Sequence, residues 1–150
     1  MTMKCPRCDN QGLIYKIKVL NLSLELNTCD ECDACWPTNQ IINIDNFKDL
    51  TVFLEEHKLT YDETEIEDLG YLKSGKEKRQ RTFFNISGNE LIMLIDEGWL
   101  MKGSSLSTDP GAYVIDMKRI IGTNGESAIK IIVKPGTAEI KTAYPIKLNV

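Results

Sequence analysis

Leu13, Tyr15 and Ile17 alternate with Ile14, Lys16 and Lys18, and Leu22, Leu24 and Leu26 alternate with Ser23, Glu25 and Asn27. A period of two puts neighbouring side chains on opposite faces of an extended chain, so strands are predicted over 12–18 and 22–26, with a turn at 19–21. The period then lengthens. Phe47, Leu50, Phe53 and Leu54 recur three and four apart, which predicts a helix over 46–57 with Asp45 as its N-cap and one apolar stripe. Residues 60–70 are acidic and poorly periodic and predict a linker. His57, the single histidine, falls at the polar end of the helix, where a surface or C-capping role suits it better than catalysis.

The second half has a different texture. Residues 82–86 are β-rich. Ser87 or Asn89 then opens a helix through Leu91, Leu94 and Ile95, which Gly98 is expected to stop in a left-handed cap. Strands are predicted over 113–117, 128–134 and 138–143, with a fourth over 146–150. Asn124-Gly125 and Pro135-Gly136 supply the turns. Connections this short preclude parallel crossovers, so the sheet is expected to be antiparallel and the fold class α+β. The expected organisation is a small N-terminal module over 1–44, a helix and acidic linker over 45–70, and a helix-plus-sheet domain over 71–150.

Candidate chemistry concentrates at the N-terminus. Cys5-Pro6-Arg7-Cys8 and Cys29-Asp30-Glu31-Cys32 are two Cys-x2-Cys pairs with 20 residues between them, enough for a hairpin to return the second pair to the first. This spacing predicts one structural zinc ion held by Cys5, Cys8, Cys29 and Cys32, in a zinc ribbon. Cys32-Asp33-Ala34-Cys35 forms a third such pair, which leaves Cys32 and Cys35 as an alternative second half of the site. Residues 1–4 lead directly into the first pair with no apolar stretch of signal-peptide type, so a cytoplasmic location and metal rather than disulfides are expected. No run approaches the roughly 20 apolar residues of a membrane helix.

Charge divides the chain. Residues 1–70 carry 6 Lys/Arg against 14 Asp/Glu, and residues 71–150 carry 12 against 8. The basic excess includes Lys73, Lys76, Lys78, Arg79 and Arg81, close behind the acidic run 62–68. Two readings follow: a second module that meets a polyanion, or two solvated loops of opposite sign.

Two resemblances attach to these motifs. The opening Met3-Lys4-Cys5-Pro6-Arg7-Cys8 is similar to the zinc-binding half of MqsA-type antitoxins. The ending Thr142-Ala143-Tyr144-Pro145 resembles the closing strand of bacterial toxin ribonucleases of the barnase, EndoU, colicin and RelE group. That second resemblance implies a helical part, a four-stranded antiparallel sheet, and metal-independent RNA cleavage, with tRNA as one possible target and a cognate inhibitor protein as partner. The candidates for such chemistry are Lys118, Arg119, Lys130, Lys141, Thr142 and Tyr144, cations for the phosphate and groups that transfer protons in place of histidine. Strand parity sets Lys130 on the face away from the helix and Thr142 and Tyr144 on the helix side. Phe83, Phe84, Trp99 and Tyr113 are available to stack bases or to fill the core. The competing reading is a non-catalytic zinc-ribbon protein, antitoxin- or regulator-like, that binds nucleic acid or a protein. An acidic first half that covers and restrains the basic second half is a further possibility.

Overall fold

The computed structural model describes residues 2–73, 82–86 and 88–148. Lys76, Lys78, Arg79 and Arg81 of the basic cluster, Ser87, and the last two positions of the predicted fourth strand lie outside them. The chain divides into two compact units, Met1–Arg81 and Thr82–Val150. Among the described residues, two α-helices and two antiparallel sheets give an α+β protein.

In the first unit the predicted hairpin is present but displaced by one to three residues. β1 is Ile14–Val19 and β2 is Leu24–Cys29, with a short 3₁₀ turn at Leu20–Leu22 between them. Ser23 closes the turn at φ 51°. Further strands build on the hairpin: β3 (Ala34–Pro37), β4 (Lys48–Asp49) and β5 (Ile66–Tyr71), in the order β4-β3-β2-β1-β5. The segment expected as an acidic linker therefore contains a strand, which pairs Val19 with Ile66 and Tyr15 with Tyr71. Its acidic composition hid it, because an edge strand exposes most of its side chains and needs little apolar periodicity.

Helix α1 is Leu50–Glu56, four residues shorter at its start than expected. The cap is Asp49, whose carboxylate accepts from the amides of Thr51 (2.9 Å) and Val52 (3.2 Å), and not Asp45. Asn43, Asp45 and Asn46 instead form a loop that receives the Trp36 indole N–H on Asn46 Oδ1 at 2.8 Å. His57 is the C-cap and lies on the Phe53 ring. The core gathers Ile17, Val19, Leu26, Cys35, Leu50, Phe53 and Leu54.

In the second unit, α2 (Asn89–Met101) packs on a three-stranded sheet of β6 (Ala112–Asp116), β7 (Ala128–Val133) and β8 (Ile140–Ile146), in that order. Residues 82–86 form no strand; they join the sheet unit through the Phe84–Gly122 bridge and the bonds Asn85 N–H to Ile121 O (2.9 Å) and Thr123 N–H to Phe83 O (3.0 Å). Gly98 does not end α2. A Cβ there would approach Ile129 Cγ2 to 3.1 Å, so the glycine lets the helix sit close on the sheet and the helix runs on to Met101. The predicted third and fourth strands are a single strand, β8, which starts two residues late and passes through Pro145. Proline is tolerated because β8 is an edge strand. Every residue of β7 is buried, and Ile129, Ile131 and Val133 meet Leu94, Ile115 and Met117 in the core.

Candidate metal centre

The first Cys pair sits on a tight loop whose ends are tied by Cys5 N–H to Gly12 O at 3.0 Å. Asp9 and Asn10 take φ of 53° and 65°, a left-handed conformation that their short polar side chains tolerate better than most. The second pair begins where β2 ends and turns back through Asp33 at φ 60°. Reciprocal bonds hold the two loops side by side: Asp30 N–H donates to Leu13 O at 3.0 Å, and Leu13 N–H to the Asp30 carboxylate at 2.9 Å. Thr28 donates to Ala34 O at 3.0 Å and fixes the far side of the second loop. Gly12 is required by closeness, since a Cβ there would overlap Cys29 Sγ.

These turns bring Cys5, Cys8, Cys29 and Cys32 together, all buried, with their sulfurs within 4.8 Å of one another. Two of the sulfur pairs, Cys5–Cys32 and Cys8–Cys29, stand 3.7 Å apart. A tetrahedral ion bound at Zn–S of about 2.3 Å requires S···S edges of about 3.8 Å. A disulfide needs about 2.05 Å, and all five cysteines are free. The donor set and its spacing therefore fit a metal ion. Three backbone amides already point at the sulfurs: Gly12 to Cys8 at 3.3 Å, and Glu31 and Cys32 to Cys29 at 3.3 and 3.5 Å. Such donors favour thiolates. Hydrogen bonds from Cys29, then Cys32 and Cys5, hold the Cys8 thiol far below its ordinary range. Those with Cys32, Cys5 and Cys8, with burial, push Cys29 far above it. The four thiols thus titrate as one coupled group, and a bound cation would compete with their protons.

Arg7, which carried no role in the sequence reading, is fully buried beside the first loop. Its guanidinium donates to Cys32 O at 3.0 Å and lies 4.5 Å from the Phe47 ring centroid. A divalent ion with four thiolates carries two negative charges, so a buried cation bonded to the ligand loop offsets part of that field. The x-x positions of a Cys-x2-Cys pair are usually read as spacers, which is why the sequence signal passed unnoticed.

Cys35 is not part of this group. It lies on β3 in the apolar core, and burial, followed by the Asp49 charge, pushes its thiol up to about 12. Cys35 lies on the wrong strand to reach the cluster.

The residues nominated for RNA chemistry are scattered. Lys118 is on an exposed bend after β6 at φ 58°, and Arg119 is held by Glu97 through two contacts of 2.8 and 3.2 Å. Lys130 pairs across β7 and β8 with Tyr144, and Ile132 with Thr142. This register corrects the parity expectation: Thr142 and Tyr144 share a face with Lys130, while Ala143 meets the core under α2. The sequence could set alternation within each strand but not which faces coincide. Lys130 is only 6 % exposed and Tyr144 3 %, so this face is enclosed at both. Lys141 falls at the register shift between β7 and β8, with its amine 3.9 Å from Glu139. Trp99, Tyr113 and Phe84 pack on the core, and Lys102 stands 4.2 Å over the Trp99 ring; Phe83 alone of the four aromatics is exposed.

No helix among the described residues is long and apolar enough to cross a membrane. No protein-family model, curated protein or solved structure matches this chain.

Proposed function

We propose that this chain is a binding protein whose first unit is a zinc ribbon and whose second unit presents a docking surface. The observation that carries it is the closed group of four buried sulfurs at tetrahedral spacing. Four thiolates fill the coordination sphere of a zinc ion and leave no position for water or substrate, so the ion organises the unit and takes no part in a reaction. Charge supports the same reading. With the boundary between units after Arg81, the second unit holds 7 Lys/Arg against 7 Asp/Glu and is neutral. The excess that favoured a polyanion lies in residues 71–81, ahead of that boundary.

The toxin-type ribonuclease is the second reading, favoured by the shared face of Lys130, Thr142 and Tyr144. Incubating the full-length protein with tRNA and total RNA over a range of pH, with and without EDTA, separates the two. The expected result is one zinc per chain by elemental analysis and intact RNA throughout. Cleavage that Thr142→Ala and Lys118→Ala both reduce by about 10²–10³ would replace the binding reading with the nuclease.

A further inference from the structure

Helix α2 buries Leu94 and Gly98 against its sheet, yet its outward side mixes apolar with acidic residues. Leu100 is 85 % exposed, Met93 69 % and Ile92 60 %, within one 13-residue helix. Isolated apolar residues on a surface need no explanation; here Met93 and Leu100 join Ile86 and Leu94 in lining an open groove of about 590 Å³. The rim is acidic. Glu90, Asp96 and Glu97 line it with one cation, Arg119. Arg119 is already engaged by Glu97 through both of its terminal nitrogens. Glu90 and Asp96 make no ion pair among the described residues.

We propose that this groove docks an amphipathic helical segment of a partner protein, with apolar anchors flanked by Lys or Arg. The proposal rests on the binding reading above and names its partner class. Glu90, Met93, Glu97 and Leu100 follow one another at three- and four-residue steps along a single stripe of α2. Carboxylates thus alternate with apolar side chains along the groove, and an incoming helix with the reciprocal pattern satisfies both. Met93, in the lining of the groove, is unbranched and adapts to the shape of an inserted anchor. The same charges select against other occupants. A phosphate backbone meets repulsion at Glu90 and Asp96. A second copy would bring like carboxylates together, with each Arg119 already engaged by its own Glu97.

The test uses full-length, zinc-loaded protein and two synthetic amphipathic helical peptides. Both carry Leu at i, i+3, i+4 and i+7; one has Lys at its ends and its twin has Glu. At low salt the Lys peptide is expected to shift the amide resonances of α2 and Arg119, and to bind about tenfold more tightly than its twin. The preference should shrink near 1 M salt, where screening acts within about 3 Å. Leu100→Glu should weaken binding at least about tenfold without altering thermal unfolding, because that side chain is solvent-exposed. Glu90→Lys with Asp96→Lys should reverse the preference between peptides. Equal binding of the twins, resonance shifts elsewhere, or binding of neither peptide would overturn the proposal. So would a concentration-dependent dimer dissolved by Leu100→Glu, which would make a second copy the occupant. RNA cleavage would sink the broader binding reading and still leave the peptide result to stand or fall by itself.

Discussion

The first unit surrenders one end of its sheet to four cysteines, and the second holds its sheet together with a strand buried along its whole length. In the first, α1 has seven residues and the apolar cluster is gathered around Leu26, Leu50 and Leu54, and it meets the second Cys loop only at its edge, where Leu50 N–H donates to Asp33 O at 2.8 Å. Those loops have tight turns, left-handed residues and a buried arginine, and little apolar surface of their own. In the second, β7 is covered on both faces and α2 spans thirteen residues. The contrast teaches where a bound ion would contribute most: at loops that cannot bury enough hydrocarbon to offset the entropy of ordering them.

Removing the metal should break this contrast most sharply. Each unit contains one of the two tryptophans, Trp36 buried in the first and Trp99 packed on the core of the second, so single-Trp variants report each separately. Cys29→Ser, or chelation of the wild type, should unfold the first unit and leave Trp99 unchanged. Structural zinc supplies on the order of 10 kcal/mol in isolated fingers. Cys35→Ser should keep full zinc by elemental analysis; loss of zinc there with retention in Cys29→Ser would move the site to Cys32 and Cys35. Acidification should act in the same direction as chelation, because the ligands must be thiolates.

The reciprocal lesion is Ile131→Ala, which opens a cavity under α2. It should cost the second unit about 2–5 kcal/mol, read from denaturant unfolding of Trp99 fluorescence, with no change in zinc content. Parallel loss of the Trp36 signal would mean that the units do not unfold independently. The smallest effect is expected from Asp49→Ala. It removes the cap bonds to Thr51 and Val52 and should lower the stability of the first unit by about 1 kcal/mol, since a metal anchored elsewhere does not replace a helix cap. A drop no greater than the error of unfolding measurements would show that α1 is held by its core contacts alone.

The cysteine spacing by itself brought Cys5, Cys8, Cys29 and Cys32 into one group that fits a metal ion, because ligand number and loop length depend only on nearby residues and the reach of a hairpin. Alternation likewise disclosed β1 and β2, runs of β-forming residues disclosed β6 and β7, and the turn residues disclosed the antiparallel connections. Tertiary contacts decided the remainder. Gly98 reads locally as a stop signal, yet inside α2 it is the point of closest approach to Ile129. Asp45 and Asp49 are equally good caps in sequence; the loop that seats Trp36 takes the first and leaves the second to the helix. Thr142 and Tyr144 fall beside Lys130 because register, which no single strand contains, aligns them. Arg7 and the groove beside α2 were hidden for a related reason. The burial of a charge and the exposure of a leucine depend on what the rest of the fold places around them.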